Sequence, residues 1–425
     1  MGRTIEITQG YDAVVIGGGP AGATAAACLA AAGHLVLLAE RHRFPRFHIG
    51  ESLLPYTVGM FRKLSFAERM AAGGFPVKTG AEFSAASGGY FRFDFSQQGE
   101  GRDLTTYQVE RADFDAALLS HAAECGAQVH HQLRVESVEW EGDRAVGVRY
   151  KSPAGRGRVA AKQILDASGR AGLITKQSLR SRRIVSNLRN AAVFTHFSGV
   201  DEATNPGVKG DIQIGVHDDG WVWAIPIRAD KLSVGSVVRS DVLQGSSTVA
   251  DSFWRYVNQM PRIRQRLADT RLCGELRVET DFSYYSDLVA GPGFFVLGDA
   301  GCFVDPIFSG GVHLAMATGK MAAERASDIL DGRVHEPDAT SWYSRFYKTG
   351  YDCYFRLALA FYDNKMEQLS LSGQIPRQWE VRLLAGDFWS AENEYANLLR
   401  SISEYAVFQP FKPLYSCPVY PAENG

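Results

Sequence analysis

The run Tyr11-Asp-Ala-Val-Val-Ile-Gly17-Gly-Gly19-Pro-Ala21-Gly22, continued by alanines to Ala32 and Gly33 and then by His34-Leu-Val-Leu-Leu-Ala-Glu40, decides the fold. Its opening residues form a short β-branched strand with the near-continuous apolar character of a strand buried on both faces. Ala21 to Ala32 combine high helix propensity with side chains small enough to pack closely on a sheet, and Gly33 stops the helix. The second apolar run completes a βαβ unit. Gly17, Gly19 and Gly22 then fall between strand and helix. Gly17 permits a tight turn, Gly19 lets a pyrophosphate approach the backbone, and Gly22 lets helix and strand touch. Orphan N–H groups at the helix start suit phosphate. Glu40 ends the second strand eighteen residues after Gly22 and suits a ribose hydroxyl. The unit predicts Rossmann-like dinucleotide binding and leaves NAD and FAD open.

A second glycine-bearing stretch lies far downstream. Gly293-Phe-Phe-Val-Leu-Gly-Asp299 reads as another buried strand, followed by Asp305-Pro306 and by Ser309-Gly310-Gly311 at the start of a helix that runs to Leu330. Asp299 suits a ribityl hydroxyl. Bare N–H groups at Gly310 and Gly311 suit an anion. Between the two stretches, Tyr90-Phe-Arg-Phe-Asp-Phe and Leu232-Ser-Val-Gly-Ser-Val-Val alternate with period two, which predicts a mostly antiparallel sheet. From about Asp338 the chain reads as helical and aromatic (Trp342 to Tyr362), then as a Pro-rich tail through Pro410, Pro413, Pro418 and Pro421.

Composition narrows the class. The 425 residues are 45% hydrophobic and 22% charged, an ordinary globular mixture with room for more than one domain. A net charge of -2 without blocks of like charge argues against nucleic acid. Six scattered cysteines without CxxC or CxH spacing predict neither a zinc site nor a disulfide framework, so no metal is expected and a reducing cytoplasm fits. The uncharged run Ala13–Ala39 is interrupted by Gly17 to Pro20, so it is read as a soluble βαβ unit and no membrane is expected.

These motifs, with Gln108 and Arg111 in Tyr107-Gln-Val-Glu-Arg111 and with Asp166-Ala-Ser-Gly169, resemble the para-hydroxybenzoate hydroxylase-like FAD superfamily over residues 11 to 330. Phe44-Pro-Arg-Phe-His-Ile-Gly-Glu-Ser52-Leu-Leu-Pro55 and Trp221-Val-Trp223-Ala-Ile-Pro226 are similar to the flavin-dependent halogenases. The resemblance implies FAD held by Gly17, Gly19, Ala21, Gly22, Glu40, Ser52, Gln108, Arg111, Asp299, Pro306, Gly310 and Gly311. It implies a halide at Gly310 and Gly311 and catalytic roles for Lys78, Trp221, Trp223 and Pro226, with the two tryptophans beside the flavin. Reduced FAD and O2 would convert chloride or bromide to hypohalous acid, which Lys78 directs to an electron-rich ring. No second dinucleotide fingerprint is present, so a separate reductase is expected to supply FADH2.

Where tryptophan-specific members carry an acidic residue, this chain has Phe308. That departure implies the branch acting on pyrroles and phenols, free or as carrier-protein thioesters, in natural-product (antibiotic) biosynthesis. Glu51 is one candidate for the missing acid. Hydroxylases and reductases share the fold and stay open. The expected architecture is mixed α/β: an FAD-binding domain from residues 1–80, 107–182 and 286–332, an antiparallel substrate-domain sheet from 81–106 and 183–285, and a C-terminal helical region with its tail at 333–425.

Overall fold

The computed structural model describes residues 10–373 and 375–420, so Pro421 lies outside the described residues. The first sheet runs in the order Ala290–Gly291, Phe294–Val296, Gly155–Asp166, Tyr11–Ile16, Val36–Glu40, Gln128–His131. Tyr11–Ile16 lies parallel between Gly155–Asp166 and Val36–Glu40, which explains its apolar run: Ala13, Val14 and Val15 are fully buried. Gly155–Asp166 also extends outward into an antiparallel ribbon with Arg144–Ser152 and Arg134–Glu141. Ile16, Asp166 and Val296 end side by side. The loops after them, at Gly17, Ala167 and Gly298, therefore collect at one edge of the sheet, where open α/β sheets bind their ligands.

The second sheet has the order Arg271–Tyr285, Arg183–Ser198, Lys231–Arg239, Gly220–Arg228, Ile212–His217, Gly80–Ala85, Tyr90–Asp94. It is antiparallel except where Ile212–His217 pairs parallel with Gly80–Ala85. One face packs on the helix Val249–Gln259 through Phe253 and Tyr256. The opposite face, carrying Phe194, Trp221 and Trp223, joins the main core.

Helix Gly311–Leu330 lies against the first helix, Pro20–Ala31, where a Cβ on Gly319 would come within 2.4 Å of the Ala21 carbonyl oxygen. Helix Glu336–Tyr362 crosses the strand ends of the first sheet. Tyr343 donates its hydroxyl to the Val296 carbonyl at 2.7 Å and Tyr347 donates to Gly298 at 2.6 Å. The tail runs back as an ordered strap. Leu414 N–H bonds Thr349 Oγ1 at 2.8 Å, Val419 is buried over Gly59, and the Tyr420 hydroxyl meets Asp103 at 2.5 Å. Among the described residues no helix is long and apolar enough to cross a membrane, and all six cysteines are free thiols.

Candidate active site

The glycines of the first turn carry distinct constraints. Gly17 has φ +103°, and a Cβ there would lie 2.5 Å from the Ala167 carbonyl oxygen. A Cβ on Gly22 would lie 1.9 Å from the Gly17 carbonyl oxygen, so helix and strand touch only because residue 22 has no side chain. Gly19 differs. Its nearest neighbour would be the Arg46 guanidinium at 3.7 Å, which leaves the space beyond it clear for a ligand. Glu40 accepts the Gly18 N–H at 2.7 Å through Oε2 and the His42 N–H at 2.7 Å through Oε1, holding the two loops together.

Arg111 is pinned on both sides. Nε and Nη2 form a fork to Asp115 at 2.7 and 2.9 Å, and Nη1 donates to the carbonyls of Ile49 and Gly50 at 2.9 and 3.1 Å. Arg111 therefore fixes the loop leading to Ser52. Gln108 donates to the Gly210 carbonyl at 3.0 Å, while its Oε1 is buried without a hydrogen-bond partner among the described residues. Asp299 feels the charges of Arg170, Arg111 and Arg182. Withdrawal from water pushes its carboxyl up to about 6 against the pull of those guanidiniums. A glycine cradle open at Gly19 and an orphaned buried amide oxygen at Gln108 fit a dinucleotide cofactor.

Lys78 ends a two-residue strand paired with Thr106–Tyr107, and it points inward with 1% of its surface exposed. Its Nζ donates to Ser52 Oγ at 2.9 Å and to the Leu53 carbonyl at 3.1 Å, and lies 5.4 Å from the centre of the Phe95 ring. Burial pushes the amine down to about 7, with Asp211 acting in the opposite direction. Lys78 lines a cavity of about 20 Å³ together with Leu54, Phe83, Ile214, Phe308, Ser309 and Leu384, room for about one water. Lys78 thus shares a space with the loop that precedes Gly310.

Glu51 does not partner Lys78. Its Oε1 meets His196 Nε2 at 2.8 Å across to the second sheet. The acid acting on the lysine is Asp211, which the sequence reading missed. Its Oδ1 accepts the N–H groups of Thr79 and Gly80 at 2.7 and 2.8 Å, and its Oδ2 pairs with Arg92 at 2.8 Å.

Trp221 and Trp223 project from one face of their strand with ring centres 5.6 Å apart. The Trp223 ring lies over Gly235, where a Cβ would come within 2.2 Å, and its Nε1 donates to Ser233 Oγ at 3.1 Å. Trp221 Nε1 donates to the Tyr362 hydroxyl at 3.1 Å. Pro226 lies further along the same strand, at a register shift.

Asp305 caps Ile307 N–H at 3.1 Å, so Pro306 opens a short turn that leads to Ser309. The two glycines read as anion donors are not equivalent. Gly310 donates its N–H to the Tyr354 hydroxyl at 3.0 Å, whereas Gly311 opens the helix and would meet nothing within 4 Å of a Cβ. The expectation of a bare N–H therefore fails at Gly310, whose donor is taken by the Tyr354 hydroxyl. Tyr354 and Tyr362 lie in the aromatic stretch that the sequence reading left without individual roles. No local pattern marks them as hydrogen-bonding to this loop.

A family model described as tryptophan halogenase matches residues 104–369, more than half the chain, and one described as FAD dependent oxidoreductase matches residues 12–185. The chain belongs to the tryptophan halogenase family. It is a flavin-dependent halogenase, an oxidoreductase that uses FAD. The tryptophan 2-halogenase of Chondromyces crocatus is 37% identical over 367 residues, covering 84% of this chain and 69% of that protein. Flavin-dependent halogenase gsfI of Penicillium aethiopicum is 32% identical, covering 84% and 72%. Among solved structures, the flavin-dependent brominase Bmp2 superimposes with a TM-score of 0.84 at 30% identity, covering 93% of this chain and 99% of its own. The myxobacterial chondrochloren halogenase CndH gives 0.78 at 35%, covering 84% and 83%.

Proposed function

We propose that this halogenase places chlorine or bromine on an electron-rich neutral ring, a pyrrole or phenol, free or as a carrier-protein thioester, in natural-product biosynthesis. The observation that carries the reading is Lys78, whose amine is buried and pushed down to about 7 and whose side chain lines an apolar cavity with Phe308 and Ser309 of the cofactor-side loop. When bound, reduced FAD from a separate reductase supplies the oxygen activation that oxidises halide to hypohalous acid. Glu40, Arg111, Asp299 and the first glycine turn hold that cofactor, and Gly19 leaves its pyrophosphate room.

The chain's own residues do the rest. The Gly311 N–H at a helix start attracts the halide. Trp221 and Trp223 keep an organic ring from the cofactor side. Neutral Lys78 has two N–H groups, which Ser52 and the Leu53 carbonyl accept, and this leaves its lone pair for an electrophilic halogen. An ordinary lysine, near ~10.4, would hold that pair as N–H at neutral pH. Burial removes the obstacle.

Halogenation is therefore expected to rise with pH through about 7, as the amine loses its proton, and to level off above it. A profile that is flat or falls across that range would exclude the neutral amine. Phe308 stands where tryptophan-specific members carry an acidic residue that could receive a substrate ammonium, which favours an uncharged ring over free tryptophan. The test combines reduced FAD, O2, chloride or bromide, and a panel of free and carrier-loaded pyrroles and phenols with tryptophan included. Isotope patterns in the product masses report the result. Preferred turnover of tryptophan would overturn the substrate class, and hydroxylation without halogen would overturn the reaction.

A further inference from the structure

Helix Glu336–Tyr362 presents two phenols to the segment from Asp305 to Gly310, at positions 354 and 362, about two helical turns apart and so on one face. Tyr354 closes that segment on itself. Its hydroxyl accepts the Gly310 N–H at 3.0 Å and donates to the Asp305 carbonyl at 3.4 Å. Its ring lies 2.6 Å from where a Cβ on Gly310 would be, so only glycine admits the phenol here. Tyr362 holds the other end. It donates to Asp305 Oδ2 at 2.8 Å and accepts from Trp221 Nε1 at 3.1 Å and Asn190 Nδ2 at 2.8 Å. Between them Ser309 keeps φ +58°, a left-handed conformation costly for a side chain that bears a Cβ and stable only where neighbours enforce it.

The contacts tie three things to one helix face: the anion-facing end of the loop, its buried carboxylate, and the tryptophan barrier. A phenol has one O–H to donate and two lone pairs. Tyr354 can keep accepting the Gly310 N–H while turning its proton from the distant Asp305 carbonyl, the weakest of these bonds, towards an anion beside Gly311. We propose that Tyr354 is a further halide-binding residue and that Tyr362 is a positioning residue of the same site. Tyr354 supplies a hydroxyl donor to the anion in place of the Gly310 N–H, and Tyr362 locks Trp221 to the same loop. This rests on the reading of Gly311 as a halide donor.

The test uses the FAD-loaded enzyme titrated with sodium bromide at constant ionic strength. Half-saturation is read from the flavin absorbance and again from halogenated product, and peroxide release per flavin oxidised is measured alongside. Tyr354→Phe keeps the ring and should raise the bromide half-saturation about tenfold while leaving the FAD dissociation constant within about threefold. Tyr362→Phe should leave bromide binding within about threefold, shift the tryptophan fluorescence, and raise the share of flavin oxidation that ends as peroxide. Tyr343→Phe, which loses a hydroxyl bond from the same helix to the Val296 carbonyl, is the control and should change neither reading. Equal bromide constants in Tyr354→Phe and the parent would overturn the proposal, as would an equal shift in Tyr343→Phe. An enzyme that binds FAD yet shows no saturable bromide response and no halogenated product would overturn the halogenase reading itself, a distinct result that removes this proposal with it.

Discussion

Lys78→Met is expected to lose halogenation by about 10²–10⁴-fold, the usual range for removing a group that handles the reacting atom, while FAD binding and the oxidation of reduced flavin continue. Methionine keeps the volume and fits an apolar wall, and the amine's bonds go to Ser52 Oγ and the Leu53 carbonyl, not to the glycine turns. The variant should therefore fold, consume oxygen and release peroxide. Lys78→Arg separates charge from chemistry. A guanidinium stays protonated at any working pH and offers no lone pair, so it should be as inactive as methionine. Product formation by either variant at the parent rate would remove Lys78 from the reaction.

Much of this frame was legible because it is local. Tyr11–Ile16, Gly17 to Gly22 and Glu40 follow one another in sequence, and the strand, turn and helix they specify depend on neighbours only a few residues away. The same holds for the helix at Gly311–Leu330, whose start is set by its own glycines. Residues whose role depends on distant segments were harder to read. The parallel pairing of Ile212–His217 with Gly80–Ala85 leaves no mark in either strand's alternation, since period two looks alike in both orientations.

The site shows the same division. Lys78 stood out only through its family setting, because nothing near it in sequence says that Asp211 will bond the backbone on either side of Thr79. Glu51 lies one residue from Ser52 and was one candidate for the missing acid, but its carboxylate reaches across to His196 on the second sheet. Tyr354 and Tyr362 lie in a run of aromatics whose burial alone explains their presence. Their hydroxyls acquire a role only once the helix is laid over the Asp305–Gly310 loop.

Gly19 and Gly22 are three positions apart in one motif, yet substitution should make them fail in opposite ways. At Gly22 a Cβ would overlap the Gly17 carbonyl oxygen at 1.9 Å, and a backbone atom at a strand end cannot swing aside as a flexible side chain can. Gly22→Ala should therefore push the first helix off the sheet and destabilise the apoprotein by about 3 kcal/mol, the upper range for overpacking, with FAD binding lost as a consequence. At Gly19 the backbone is extended, with φ -71° and ψ -177°, a conformation open to any residue, and a Cβ would meet only Arg46 at 3.7 Å. Gly19→Val should melt within about 0.5 kcal/mol of the parent, like other substitutions that touch little. Its side chain would nonetheless occupy the approach of the pyrophosphate, weakening FAD by at least about a hundredfold, close to 3 kcal/mol of binding. Thermal unfolding of the apoproteins and FAD titration of each separate the two failures. Normal FAD affinity in Gly19→Val would mean that the phosphates do not pass over this turn, and the cradle would have to be placed elsewhere on the sheet edge.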